Sequence, residues 1–298
     1  MSYYFSSFIY YLLVRPISKL PFGVLYRISD FIFFLIYYIL RYRVHVVTSN
    51  LKNSFPEKTK EELKAIRKSF YKQFCDNIIE GIKGLTISKD EIARRMVCTN
   101  PNLLDDIYAD KKSVIIVTGH YYSWELWFLG IDMPVKHQIV LIYKKLSNQY
   151  FEKKLKAIRA SFGVLPLKFE KVRSYFEFEE AGHQGYIFGS DQAPHHAAKA
   201  YWCKFLHQDT PVAYGAEKYA IEKDIPVVFC HIRKIKRGYY EFEYDVIEMN
   251  PRQTQYGDIT KKHSKRLEEI IRKDPVGWLW THKRWKREKP KGMVVHDL

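Results

Sequence analysis

Ser113-Val-Ile-Ile-Val-Thr118 runs without a break into Gly119-His120-Tyr121-Tyr122-Ser123-Trp124-Glu125, and this junction decides the fold. A continuous β-branched apolar run that ends at a glycine reads as a strand buried on both faces. The stretch after it, roughly residues 121–131, reads as a helix. Three further β-rich runs follow at Gln138–Tyr143, Gly185–Gly189 and Ile225–Ile232, separated by helix-like stretches at 147–161, 169–182 and 211–224. Strands alternating with helices predict crossover units, hence an α/β fold with a mostly parallel central sheet flanked by helices. A last antiparallel pair, 226–235 and 239–248, turns at Arg237-Gly238. Upstream, residues 57–84 carry Leu63, Ile66, Phe70, Phe74 and Ile78 at helical spacing.

The 298 residues are 47% hydrophobic, enough for a full core, and 19 Phe, 23 Tyr and 6 Trp exclude a disordered or fibrous chain. Cys75, Cys98, Cys203 and Cys230 are scattered with no CxxC pair, which argues against a disulfide scaffold or a structural zinc site. The formal charge of +16 calls for an anionic partner: nucleic acid, an acidic protein or a phospholipid surface. The first 55 residues stand apart. They hold one acid, Asp30, against Arg15, Lys19, Arg27, Arg41, Arg43 and Lys52, and two aromatic-rich apolar runs, Tyr3–Val14 and Phe31–Leu40. Neither run alone reaches the roughly 20 apolar residues of a helical span, and no secretory signal is evident. Tyr and Phe beside basic residues are the composition of an interfacial segment, so residues 1–55 are expected to be a membrane-anchoring segment, whether spanning or lying in the interface, and 56–298 the α/β domain. The C-terminal stretch from Trp278 to Lys291 interleaves six Lys or Arg with three Trp. That pattern suits a lipid headgroup layer, a nucleic acid or a solvated tail.

His120 and Glu125 carry the sharpest chemical signal. On one continuous helix they would point about 140° apart. With His120 in the turn after Gly119 and Glu125 in the first helical turn, they are expected to hydrogen-bond, giving an imidazole oriented for general-base work. No Ser or Cys nucleophile is needed where a substrate hydroxyl attacks. A histidine after a strand is also a common packed or capping residue.

His120-x4-Glu125 resembles the HX4(D/E) motif of the lysophospholipid acyltransferase superfamily, and the rest of the chain resembles its lipid A biosynthesis (lauroyl/myristoyl) acyltransferase branch. In order, Arg159-Ala-Ser-Phe-Gly163 is similar to the second block and Gly189-Ser-Asp191-Gln192-Ala-Pro194 to the Asp-Gln block. The segment Phe205–Ala220 with Thr210, Gly215 and Glu217, then Ile225-Pro-Val-Val228, and Trp280-Thr-His282-Lys-Arg284-Trp-Lys286 complete the series. Several ordered weak motifs are jointly far more specific than any one. The chain departs at Phe205-Leu206-His207, where many members have Phe-Phe-Gly, and at Tyr214, where Pro often accompanies the glycine.

The resemblance implies a glycerol-3-phosphate-acyltransferase-like fold and transfer of a fatty acyl group from an acyl-carrier-protein thioester to a hydroxyl of a lipid A precursor. It places the enzyme on the cytoplasmic face of the inner membrane and implies no acyl-enzyme, cofactor or metal. His120 would be the base and Glu125 its orienter. Arg159 would meet an acceptor phosphate or the developing oxyanion; without the resemblance it reads as a surface charge. Asp191 and Gln192 would orient sugar hydroxyls or hold the loop, and read equally as a structural turn. Lys144 and Arg233 are candidate phosphate contacts. Acyl carrier protein, anionic lipids and the lipid A precursor are the expected partners, and nucleic acid is not. A metal-dependent hydrolase drawing on His195, His196, His207 and His231 lacks any HExxH or CxxC spacing. A basic membrane-surface module leaves His120, Glu125 and Asp191-Gln192 without a purpose.

Overall fold

The computed structural model describes residues 3–110, 112–178 and 183–298. Two helical segments open the chain. The first comprises α1 (Tyr3–Ile9), a π-helical turn (Tyr10–Val14) and α2 (Arg15–Lys19); the second comprises α3 (Phe22–Phe34) and a further π turn (Leu35–Ile39). Then come α4 (Val44–Ser54), α5 (Lys60–Lys83), α6 (Lys89–Arg95), β1 (Met96–Cys98), α7 (Asn102–Ala109), β2 (Val114–Thr118) and α8 (Trp124–Gly130). β3 (Gln138–Tyr143), α9 (Gln149–Ser161), β4 (Leu165–Lys168), α10 (Val172–Phe178) and β5 (Gln184–Gly189) follow. β6 (Tyr201–Phe205), β7 (Gln208–Val212), α11 (Gly215–Lys223), β8 (Val227–Lys236), β9 (Tyr239–Glu248) and α12 (Asp258–Lys273) complete the order.

Seven strands form the central sheet in the order β1-β9-β8-β2-β5-β3-β4. β8, β2, β5, β3 and β4 are mutually parallel, while β9 is antiparallel to β8 and carries β1 parallel to itself. This is the mostly parallel α/β sheet read from the strand–helix alternation. β2 lies at its centre with all five residues buried, as a strand covered on both faces requires. β6 and β7 make a separate two-stranded hairpin.

Several boundaries move for identifiable reasons. The helix expected from residue 57 begins at Lys60, because Thr59 caps it and Glu62 returns the bond in a capping box. The helix expected over 121–131 begins only at Trp124, since Tyr122 takes a positive φ of 46° and the residues before it form the loop. The helix expected over 211–224 starts at Gly215, its first residues belonging to β7. Of the 169–182 stretch, residues 169–171 are a 3₁₀ turn, α10 ends at Phe178, and the remainder lies outside the described residues.

The N-terminal helices pack into the same core as the sheet through Phe22, Phe33, Val47, Leu51 and Phe55. A polar lock fixes α3 on α5. Ser29 donates to Asp76 at 2.6 Å, the Tyr26 hydroxyl to Glu80 at 2.8 Å, and Arg237 bridges Asp30 and Asp76, both at 2.7 Å. Tyr240 also donates to both Glu80 oxygens at 2.9 Å. The opposite side leaves Phe31, Phe34, Tyr38, Ile39 and Leu40 exposed. Phe22–Ile39 is long and apolar enough to cross a membrane.

Burial pushes the fully buried Glu80 carboxyl up to about 7, and the charge of Asp76 adds to the rise. A carboxyl whose pKa is higher folded than unfolded holds an extra proton in the native state, so its contribution to stability is present in acid and fades as pH rises through 7. The shift corresponds to about 3 kcal/mol lost between pH 4.5 and pH 8. Glu80→Gln should remove this slope, gaining thermal stability relative to wild type as pH is raised across that range. Parallel melting-temperature profiles for the two proteins would contradict the assignment.

Candidate functional site

The site grows from the register of two parallel strands. Thr118 at the end of β2 pairs with Gly189 at the end of β5, and the ladder continues with Ser190 N–H donating to the Thr118 carbonyl at 3.0 Å. Two residues further on, the chains bring His120 and Asp191 side by side. Asp191 accepts the backbone N–H of His120 at 2.7 Å through Oδ2, and its Oδ1 lies 2.7 Å from His120 Nδ1. The Trp278 indole donates to Oδ2 at 2.9 Å. Small residues permit this approach. A Cβ on Gly119 would stand 3.0 Å from a Leu267 methyl and 3.4 Å from Asp191 Oδ2.

The pairing fixes the tautomer. A carboxylate on Nδ1 keeps the proton there and leaves the Nε2 lone pair facing outward, where Gln192 Nε2 donates to it at 3.1 Å. The imidazole is 26% exposed and Asp191 only 2%. Burial works against charge on His120, but the charge and hydrogen bond of Asp191, with a smaller share from Glu125, outweigh it and raise its pKa above the ordinary value. Burial likewise works against Asp191, yet His120 and the Trp278 indole hold its carboxyl down at about 2.

Glu125 stands in the first turn of α8, as expected, but not on His120. Its Oε2 accepts Arg159 Nη2 at 2.9 Å. The edge of the Trp124 ring packs against the imidazole instead, with ring centroids 5.4 Å apart, and the strand register has already given Nδ1 to Asp191. The expected His120–Glu125 hydrogen bond is therefore replaced by two separate pairs, His120–Asp191 and Glu125–Arg159. The Arg159 guanidinium also lies 5.2 Å from the Phe128 ring centroid, and its side chain is largely buried rather than a free surface charge. Beside Glu125 opens a cavity of about 340 Å³ lined by Val14, Phe74, Ile78, Ile82, Leu85 and Trp124, among others.

The other candidates divide. Lys144, just beyond β3, donates to His195 Nε2 at 3.2 Å, on the loop that continues from Gln192. Arg233 points elsewhere, pairing across the hairpin with Glu241 at 3.3 Å and Glu243 at 3.5 Å, and neither carboxylate touches His120. Among the described residues no group of three His, Cys, Asp or Glu side chains is placed to hold a metal ion.

The C-terminal segment supplies what the residue pattern did not assign. Trp278 closes the shell around Asp191. His282 Nε2 accepts the Ala193 N–H at 3.1 Å, consistent with an imidazole whose pKa burial lowers to about 4. Arg284 is 2% exposed with no protein partner for Nε or Nη1, and burial presses its pKa down to about 10 while the charge of Asp191 opposes the fall. Three Trp interleaved with cations were the available signal, but composition alone does not separate an outward-facing tail from a buried strap.

Trp278→Phe keeps the ring packing against Phe205, Trp280 and Trp285 and deletes one donor to a buried carboxylate, a loss of about 2 kcal/mol. Chemical denaturation at pH 7 should show that loss. Because the Asp191 pKa then moves back toward its ordinary value, acid unfolding should begin at higher pH than in wild type. An unchanged acid midpoint would mean that the indole does not support the ionised form.

The sequence profile of the bacterial lipid A biosynthesis acyltransferases matches residues 1–287. No curated protein matches the chain significantly.

Proposed function

The chain belongs to the bacterial lipid A biosynthesis acyltransferase family, and we propose that it moves a fatty acyl group from an acyl-carrier-protein thioester to a hydroxyl of a lipid A precursor. The observation that carries this reading is an imidazole whose Nδ1 is fixed on a buried carboxylate beside an apolar groove. The acceptor hydroxyl takes the place of the Gln192 amide at His120 Nε2 and gives up its proton there. Its oxygen attacks the thioester carbonyl, and a tetrahedral oxyanion forms. The carbon–sulfur bond then breaks, and the departing thiolate takes the proton from the imidazolium, so the enzyme returns to its starting state without an acyl-enzyme. Asp191 stabilises the transient positive charge. Arg159, held by Glu125, has further N–H groups for the oxyanion or an acceptor oxygen. The hydrocarbon tail of the donor fits the groove lined by Phe74, Ile78, Ile82 and Leu85.

The N-terminal helices supply the membrane contact in this reading. Tyr4, Phe8, Leu12, Leu13, Phe31, Phe34 and Leu40 are exposed apolar side chains, while Ser29, Asp30 and Tyr26 are locked to the domain. Polar side chains engaged along one face favour α3 lying along the headgroup layer of the inner membrane over crossing it, with the site on the cytoplasmic side where carrier protein is found.

Transfer from a set of acyl-carrier-protein thioesters to a tetra-acylated lipid A precursor tests the proposal. His120→Ala should lower kcat by about 10³-fold, within the usual range for loss of a general base. Wild-type kcat/KM should rise with pH through the elevated pKa of His120. Asp191→Asn removes the carboxylate that raises it, so this limb should move to lower pH as the rate falls, whereas Glu125→Gln should lower the rate with a smaller shift. A limb that follows Glu125 rather than Asp191 would reverse the two roles, and no transfer from any thioester would refute the activity.

A further inference from the structure

Three separate stretches of chain bring positive side chains together at the rim of the His120 site. Lys144 follows β3, His195 and His196 lie on the loop after β5, and Lys286 and Arg287 belong to the C-terminal strap. Lys144 Nζ is 3.2 Å from His195 Nε2, and Arg287 Nε donates to the Pro194 carbonyl at 3.0 Å, fastening strap to loop. Some cations near this surface are paired: Lys289 and Lys204 share Asp209, and Arg233 takes Glu241 and Glu243. The three cations of this cluster are not. Among the described residues Lys144, Lys286 and Arg287 have no ion-paired carboxylate, and Lys144 above all, with slight burial and the charges of Arg287, His196 and Lys286, disfavours the protonated form of the His195 ring.

We propose that Lys144, His195, Lys286 and Arg287 form a subsite for a phosphate ester on the acceptor glycolipid. The inference rests on the acyl-transfer reading and deepens it by giving the acceptor a recognition element. A tetrahedral dianion supplies the missing counter-charge and enough acceptor oxygens for two lysines, one guanidinium and one imidazole. Position argues for the acceptor over the donor. Gln192 touches His120, and His195 is three residues further on, at most about 11 Å of extended chain. A phosphate borne directly on the acylated sugar falls within that range, whereas the phosphate of a carrier-protein thioester sits at the far end of a long flexible arm. The subsite also accounts for Ala193 being tied to His282 and Pro194 to Arg287: the loop that bears the anion contact is the loop that bears Gln192.

Equilibrium binding to the full-length protein in detergent micelles tests the proposal without relying on turnover. The probes are a bisphosphorylated tetra-acyl glucosamine disaccharide and the same glycolipid after phosphatase treatment, each measured on wild type, Lys144→Gln/His195→Gln and Lys144→Arg. Wild type should prefer the phosphorylated form by at least about tenfold, the scale of one charge-assisted contact. The double variant should bind both forms within about threefold of each other, retain wild-type affinity for an acyl-carrier-protein thioester, and melt normally because both side chains are exposed. Lys144→Arg, which keeps the charge, should keep the preference. A double variant that keeps the phosphate preference overturns the subsite. So does one that loses donor affinity instead, which would assign the cluster to the carrier's phosphate. Absence of acyl transfer in a parallel assay would count against the proposed activity, while the binding comparison would still decide the subsite.

Discussion

One buried carboxylate holds the site together. Asp191 accepts from the His120 backbone, lies against the His120 ring and accepts the Trp278 indole, and an ionised group at 2% exposure is tolerable only because those contacts replace its water. Meeting that requirement constrains three distant parts of the chain. β2 and β5 must be adjacent and in register, Gly119 keeps open the space beside Asp191 that a Cβ would crowd, and the strap from Trp278 must be seated. The strap is anchored in turn by α4 and the residue before it. Asn50 donates to the Trp280 and His282 carbonyls at 2.9 and 3.1 Å, and Arg43 donates to the Thr281 carbonyl at 3.0 Å. Arg284 adds positive charge in the same interior. A stretch whose composition resembles a basic tail is thus, at Trp278, Trp280, Thr281 and Arg284, part of the core.

The strands legible in the sequence were those buried on both faces. β2, β3 and β5 lie within a residue of their apolar runs, and the β8–β9 hairpin turns at Arg237-Gly238, where Gly238 has a φ of 78°. The missed strands lacked those signals. β4 is Leu-Pro-Leu-Lys, and its proline lacks the amide that a central strand needs, which fits its place at the sheet edge. β1 has three residues. The β6–β7 hairpin turns through Leu206 and His207, both left-handed at φ 48° and 65°. A two-residue turn of that kind is normally announced by Asn-Gly or Asp-Gly. Here neither is present, and His207 occupies the position where the resemblance leads one to expect glycine.

For the site, short-range spacing brings His120 and Glu125 to one junction but pairs them with each other, whereas the structure pairs each with a different residue. Four residues between His120 and Glu125 place both at one loop–helix junction, but proximity along the chain says nothing of which hydrogen bond forms. Strand order decides that. Because β5 is the parallel neighbour of β2, the loops leaving their C-terminal ends are adjacent, and Asp191 reaches the ring that Glu125 was expected to hold. The order of strands is set by the whole sheet and is not written in any local window. Arg233 lies apart from His120 for a related reason: residues alternate between the two faces of a strand, and the hairpin supplies carboxylates on the side where this cation emerges.

The separation into two acid–base pairs has a chemical consequence for the proposed reaction. A single carboxylate serving both the imidazole and the guanidinium would be drawn toward one cation as the other became charged. With Asp191 committed to His120, the proton taken up by the ring is balanced within the pair, and Glu125 need not move. Glu125, which lines the apolar groove, then keeps Arg159 in place, and Phe128 backs the guanidinium. Filling that groove with a hydrocarbon chain expels water from the neighbourhood of the Glu125–Arg159 pair and strengthens its mutual attraction. In the proposed reaction Arg159 would therefore be held most firmly with the donor bound, and His120 would be unaffected because its charge is compensated by Asp191 on the other side of the loop.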